Sequence, residues 1–237
     1  MSALRALIID DEPPARRQLR RLLAEHPWVK IIGEAGNVEQ AAGLIESLSP
    51  DLLFLDIQMP GGSGFDLLER LDAIPEVIFT TAHDEYAVQA FRVDALDYLL
   101  KPIDSAQLSQ SLARVMNAQV AKSPRTGAVL ERTFVRDGDQ CWFIPLREVS
   151  LLTTVGNYVR LSWGKRQPLL CRSLAAMEQR LDPNRFFRAN RSQLINLDFI
   201  DHVESGINGR LHVQLREGPE VEISRRQARL FKSKLSI

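Results

Sequence analysis

Cysteine, histidine and net charge are all scarce in this chain. Its 237 residues hold 2 cysteines and 4 histidines, and 30 basic side chains balance 30 acidic ones. Cys141 and Cys171 both fall in the second half, on segments that read as strands, where a reduced, buried thiol is the default; no disulfide framework is implied. His26, His83, His202 and His212 show no ligand spacing with cysteine or acid, so no zinc site follows. Long apolar runs are also missing. None approaches the roughly 18 to 20 residues of a membrane span, and Asp10 interrupts the apolar N-terminal run, which predicts a cytoplasmic protein without a membrane partner. Gly61-Gly62-Ser63-Gly64 lacks the spacing of either glycine-rich nucleotide fingerprint and is expected to be a flexible turn. The second half has no helix-turn-helix pattern and no recognisable catalytic set.

The informative residues stand just after short apolar runs. Asp10 and Asp11 follow Leu7-Ile8-Ile9, Asp56 follows Leu52 to Leu55, Thr81 comes shortly after Val77-Ile78-Phe79, and Lys101 follows Tyr98-Leu99-Leu100. Short apolar runs separated by stretches of helical period read as buried parallel strands joined by crossover helices. Strands are expected at 4–9, 30–35, 52–55, 76–80 and 97–100, and helices at 14–25, 38–48, 64–71, 85–94 and 105–119. Ligands of such sheets bind beyond the carboxyl ends of the strands, so these five side chains should converge. Three carboxylates form a hard, oxygen-rich set suited to Mg²⁺, and Lys101 and Thr81 suit phosphate oxygens. A carboxylate beside Mg²⁺ can act as a nucleophile toward phosphorus. Asp56, alone at the end of the central run, is the candidate. Helix capping explains an isolated aspartate at a strand end, but not two adjacent acids together with a lysine before a proline.

Met59-Pro60 and Gly64 after Asp56, Ala82 after Thr81, and Tyr98 three residues before Lys101-Pro102 complete a specific pattern. Residues 4 to about 118 resemble the receiver domain of a two-component response regulator, an α/β flavodoxin-like fold with a doubly wound, five-stranded parallel sheet. The resemblance implies that Asp56 is the phosphoacceptor. It implies direct Mg²⁺ binding by Asp11 and Asp56, help from Asp10 through water, and the backbone carbonyl of Gln58 as a further ligand. It makes Thr81 and Lys101 the phosphoryl clamp, Tyr98 the aromatic switch, and the Lys101-Pro102 bond cis.

Zero net charge hides a polarity. Residues 1–120 carry 10 basic and 18 acidic side chains, a net −8, whereas residues 121–237 carry 20 and 12, a net +8. A basic half points to a nucleic acid or a membrane as partner. Residues 120–130 gather Ser, Pro, Thr and Gly and read as a linker between a domain over 1–119 and another over 131–237. Beyond the linker the pattern is mostly β. Strands are expected at 133–136 and 140–144 around Asp137-Gly138-Asp139, then at 149–154, 157–162, 168–171, 200–204, 210–215 and 220–223. Helices are expected at 173–181 and 225–235, the latter capped by Ser224.

The phrase from Arg185 through Asn196, with Gly156-Asn157-Tyr158 before it and Ser224-Arg225-Arg226 after it, resembles the LytTR-type DNA-binding domain. Thr153 stands where that family often has an acid, and Asn190 where it often has histidine, a departure that would alter base reading. Arg forks pair with guanine or phosphate, and Asn pairs with adenine. The motif places Asn157, Tyr158, Arg188, Asn190, Arg191, Ser192, Arg225 and Arg226 on three DNA-facing loops. Arg191 and Arg226 are the candidate base readers, and Arg188 and Arg225 the phosphate anchors; Phe186 and Phe187 are expected in the core. The resemblances together imply a non-enzymatic transcriptional response regulator. A sensor histidine kinase would phosphorylate Asp56, a homodimer would form through the 85–119 face, and promoter repeats in double-stranded DNA would be bound. An alternative couples the receiver to a protein- or RNA-binding β module. An aspartate-nucleophile phosphohydrolase is disfavoured because Ile57-Gln58 follows Asp56 where that chemistry needs Asp-x-Asp.

Overall fold

The computed structural model describes residues 3–71, 73–82, 97–120, 129–138, 140–206, 209–216 and 218–235. The helix expected at 85–94, most of the 120–130 linker, His83 and Asp139 lie outside the described residues. The chain divides into two compact units, one of residues 1–125 with 138–143 and one of 126–137 with 144–237.

In the first unit the strands are β1 (Leu4–Ile9), β2 (Val29–Ala35), β3 (Leu52–Asp56), β4 (Gln58–Met59), β5 (Gly62–Ser63), β6 (Glu76–Thr81) and β7 (Asp97–Leu100). The described helices are α1 (Pro13–Leu23), α2 (Val38–Leu48), α3 (Gly64–Arg70) and α4 (Ser105–Val120). Prolines at the first helical positions start α1, where a missing N–H costs nothing. Asn37 caps α2 by accepting the Gln40 amide at 2.9 Å, and the helix stops at Ser49 in the left-handed region with φ 44°. The main sheet runs β2-β1-β3-β6-β7, parallel throughout, which is the flavodoxin-like order.

Alternate residues of each strand face opposite ways, so both faces must be covered. Ala6, Ile8, Phe54, Ile78 and Leu99 pack with Leu19 and Leu23 of α1 and Leu108, Leu112 and Val115 of α4. On the other face Phe79 meets Phe65 of α3, ring centroids 5.2 Å apart. The sheet is therefore doubly wound, as expected. The glycine-rich run corrects the expectation of a flexible turn. Gln58 pairs with Ser63 and Met59 with Gly62 in an antiparallel ribbon, and Ser63 and Asp66 form a reciprocal capping box at the start of α3.

From residue 132 onward the chain supplies β8 (Arg132–Asp137), β9 (Gln140–Pro145), β10 (Val149–Val155), β11 (Tyr158–Trp163) and β12 (Leu169–Leu170). They continue with α5 (Leu174–Glu178), β13 (Phe186–Asn190), β14 (Gln193–Asn196), β15 (Ile200–Ser205), β16 (Leu211–Leu215), β17 (Glu220–Ile223) and α6 (Arg225–Leu235). One antiparallel sheet runs β12-β11-β10-β14-β13 and a second runs β15-β16-β17. Their joint core holds Leu151, Phe187, Ile195, Val213, Val221 and, from α6, Ala228 and Phe231. Phe186 and Phe187 are buried, as expected. Arg188 to Ser192 departs from expectation. It is not a loop but the end of β13 and the tight turn into β14, two strands that the sequence did not disclose. The helix expected at 173–181 is also shorter, five residues from Leu174 to Glu178.

Candidate functional site

The parallel sheet delivers Asp10 directly after β1, Asp56 as the last residue of β3, Thr81 as the last of β6, and Lys101 directly after β7. All four lie at carboxyl ends of adjacent strands, and Thr81 O accepts the Lys101 amide at 2.8 Å. The Lys101-Pro102 bond is cis. The Lys101 ammonium lies 2.7 Å from Asp10 Oδ2 and 2.7 Å from Asp56 Oδ2, with Glu12 Oε2 further off at 3.5 Å. Asp10, Asp56 and Thr81 are buried, and Lys101 is mostly so. Backbone donors fix both acids: the Glu12 amide donates to Asp10 Oδ1 at 2.9 Å and the Gln58 amide to Asp56 Oδ1 at 3.2 Å.

Burial pushes the Asp56 carboxyl above its ordinary range, and the Lys101 hydrogen bond and charge oppose that without cancelling it. For Lys101 burial works downward, yet its hydrogen bonds to Asp10 and Asp56, with their charges, prevail and raise its pKa. One ammonium thus holds together acids that would otherwise repel. Asp10, Asp11 and Asp56 offer carboxylate oxygens all within 4.8 Å of one another, a donor set that fits a hard divalent cation. Gln58 sits in β4 beside them. Tyr98 is half-buried in β7, paired with Phe79 of β6.

In the second unit a cleft of about 750 Å³ is lined by Arg188, Asn190, Arg191, Arg210, Ser224 and Arg226, among others, with Glu178 and Glu222 as its acids. Arg188 donates to Glu178 at 2.9 Å, and Arg210 donates to both oxygens of Glu222 at 2.8 Å. The turn 191–192 adjoins β10, because the Thr154 amide donates to Ser192 O at 2.9 Å. That strand leads within a few residues to exposed Asn157 and Tyr158. Ser224 caps α6 through the Gln227 amide, which places exposed Arg225 and Arg226 in its first turn with no acid there. Two cations at the positive end of a helix dipole are unfavourable on their own and favour a bound anion.

Comparison with known proteins places both units. A family model described as a response regulator receiver domain matches residues 6–113, and one described as a LytTr DNA-binding domain matches residues 139–236. Transcriptional regulatory protein BtsR of Escherichia coli K12 is 34% identical over 242 residues, covering 99% of this chain and 100% of its own. The chain belongs to the LytTR response regulators. Sensory transduction protein LytT of Enterococcus faecalis is 31% identical, covering 99% of this chain and 100% of its own. The positive alginate biosynthesis regulatory protein of Pseudomonas aeruginosa is 36% identical, covering 94% and 95%. As a member of this family the chain is a phosphorylation-controlled, DNA-binding response regulator.

Within this LytTR regulator the expected residues divide. Asp10, Asp11, Asp56, Thr81 and Lys101 meet at one end of the sheet. Arg188, Asn190, Arg191 and Arg226 share the cleft, whereas Asn157, Tyr158, Ser192 and Arg225 are not among its lining. Sequence reasoning missed Arg210, Glu178 and Glu222. Their separation along the chain gave no signal; only the strand pairing that sets His212 opposite Glu222 carries Arg210 to that edge. No helix among the described residues is long and apolar enough to cross a membrane.

Proposed function

We propose that this regulator accepts a phosphoryl group on Asp56 from a sensor histidine kinase in the cytoplasm and then binds paired promoter repeats as a homodimer. The observation that carries the reading is the Lys101 ammonium at 2.7 Å from both Asp10 and Asp56. A group that bridges two carboxylates in the resting protein is placed to follow a phosphoryl oxygen once one carboxylate is esterified. An Asp56 oxygen forms the bond to phosphorus while the bond to the kinase imidazole breaks, and the imidazole leaves carrying the electron pair and takes up a proton. Asp10, Asp11, Asp56 and the Gln58 carbonyl would hold Mg²⁺, which when bound neutralises charge on the transferring oxygens. Thr81 donates its hydroxyl and Lys101 its ammonium to the same oxygens. Tyr98, paired with Phe79 two residues before Thr81 in β6, is the switch that reads the change. The protein turns over no substrate of its own.

The receiver spans 1–119 and the DNA-binding domain 131–237, joined through 120–130. Arg191 and Arg226 read bases; Asn157, Tyr158, Ser192 and Arg225 face the duplex. The dimer face assigned to 85–119 lies partly outside the described residues. Selection of duplexes from a random pool, with and without beryllofluoride and Mg²⁺, tests the proposal on the full chain and on Asp56→Asn and Arg191→Ala. A repeat that tightens with beryllofluoride only when Asp56 is intact, and degrades with Arg191→Ala, is expected. Enrichment of no sequence would sink the DNA assignment.

A further inference from the structure

Asparagine offers two N–H donors and a carbonyl oxygen with two lone pairs. At Asn190 all four are engaged. Nδ2 donates to Gln193 Oε1 at 2.8 Å and to the Glu222 carbonyl at 2.9 Å, and Oδ1 accepts from the Ser192 amide at 3.0 Å and the Ser192 hydroxyl at 3.1 Å. Reading adenine takes both the amide and the carbonyl of an asparagine side chain, so nothing at Asn190 is left for a base. The neighbouring arginine is committed in the same way. Arg188 Nε donates to the Asn190 carbonyl at 2.6 Å, one terminal nitrogen to the Arg191 carbonyl, and the other to Glu178 Oε2 at 2.9 Å. Its side chain is 19% exposed, and a carboxylate already balances its charge.

These bonds close on one object, the turn at Arg191 and Ser192. Asn190 ties the turn to β14 and β17, and Arg188 grips the two carbonyls on either side of the Asn190–Arg191 step. Arg191 itself is exposed at the tip. We propose that Arg188 and Asn190 are positioning residues that do not contact DNA, and that they lock the β13–β14 turn so that Arg191 enters the duplex in one fixed register. The inference rests on the DNA-binding reading and moves Arg188 from phosphate anchor, and Asn190 from DNA-facing residue, to positioning. A planar fork is required at 188, because one ammonium cannot span two carbonyls and a carboxylate.

Three roles leave three signatures. A phosphate anchor is largely replaced by lysine, and its loss lowers the slope of log affinity against log salt by about one. A base reader relaxes preference at one position of the site. A positioning residue lowers affinity for the whole site, leaves the slope and the order of base preferences intact, and is not rescued by lysine. The full chain, loaded with beryllofluoride and Mg²⁺, is titrated at several salt concentrations on the duplex that the wild type selects from a random pool. Arg188→Lys is expected to lose about tenfold, close to the loss of Arg188→Ala, with the slope unchanged. Asn190→Ala is expected to keep the selected sequence at every position. Gln193→Ala removes a single partner of Asn190 and guards against misfolding of the Arg188 variants; a loss of about threefold with unchanged slope is expected. Wild-type affinity in Arg188→Lys, a shallower slope in Arg188→Ala, relaxed preference at one base in Asn190→Ala, or no loss in Gln193→Ala overturns the inference. Failure of the wild type to select any duplex is a different result, which removes the DNA reading itself.

Discussion

At Lys101 a single side chain makes the acidic site tolerable, and its neighbours set how the site responds to pH and to packing. Because burial holds the Asp56 carboxyl above its ordinary range, protons compete with a divalent cation there sooner than at an exposed aspartate. Mg²⁺ affinity is expected to fall as the pH is lowered from about 7 toward 4, starting above the ordinary aspartate range. Calorimetric titration across that range checks this, and a constant affinity would contradict it. Gly64 supplies a second constraint, since a Cβ built there would stand 2.4 Å from the Asp56 carbonyl oxygen. Backbone must give way, so Gly64→Ala is expected to cost about 1–3 kcal/mol in urea unfolding of the receiver and to slow phosphoryl uptake. Unchanged stability would mean that the close approach is not a constraint. Asp10, Asp11, Asp56, Thr81 and Lys101 were legible in the sequence because each follows a buried strand, and parallel topology turns that one-dimensional pattern into a common location. Asn190 was legible as a residue but its bonds were not, because its Nδ2 donates to the carbonyl of Glu222, which lies 32 residues away and arrives only through pairing of other strands.

Helix α6 carries Arg226 of the cleft and exposed Arg225 on an element whose own anchorage is apolar. Phe231 is fully buried and packs edge-on against Phe187 of β13, centroids 5.2 Å apart, while Ala228 joins it in the core one turn earlier. Phe231→Ala is expected to destabilise the second unit by about 3–5 kcal/mol, to abolish sequence-specific DNA binding by loosening Arg225 and Arg226, and to leave phosphoryl acceptance by Asp56 intact. Thermal unfolding followed alongside phosphoryl incorporation checks it; loss of both activities would show that the units do not fail separately. The same element scale explains where sequence reading stopped. α6 was placed at 225–235 because Ser224 caps it and apolar residues recur at helical spacing. β13 and β14 escaped because Arg188 and Asn190 at the end of β13, Arg191 and Ser192 in the turn, and Gln193 at the start of β14 make a polar run that masks the buried alternation of Phe187 and Ala189. Such a run reads as a loop unless its hydrogen bonds are known.

Across the whole molecule the −8 and +8 halves assign different work to the two units. The acidic unit supplies the chemistry of phosphoryl acceptance and the basic unit supplies the attraction to DNA; composition alone disclosed the charge polarity, and the strand-end residues and family motifs disclosed the work. The dimer face expected at 85–119 came from the resemblance, since surface residues follow no period that one chain reveals. If phosphorylation acts by dimerisation, it adds no contact between a basic unit and its half-site. It raises the effective concentration of the second unit once the first is bound, a gain of about 10²- to 10⁴-fold when the spacing suits. Beryllofluoride with Mg²⁺ is therefore expected to tighten binding to a duplex carrying two half-sites and to leave binding to a single half-site unchanged. The salt slope on the paired duplex should be about twice that on the single one, because two sets of phosphate contacts release counterions together. Fluorescence anisotropy on the two duplexes measures both quantities. An equal gain on the single half-site would mean that phosphorylation reshapes the DNA-binding surface itself, and dimerisation would lose its place as the route from Asp56 to the promoter.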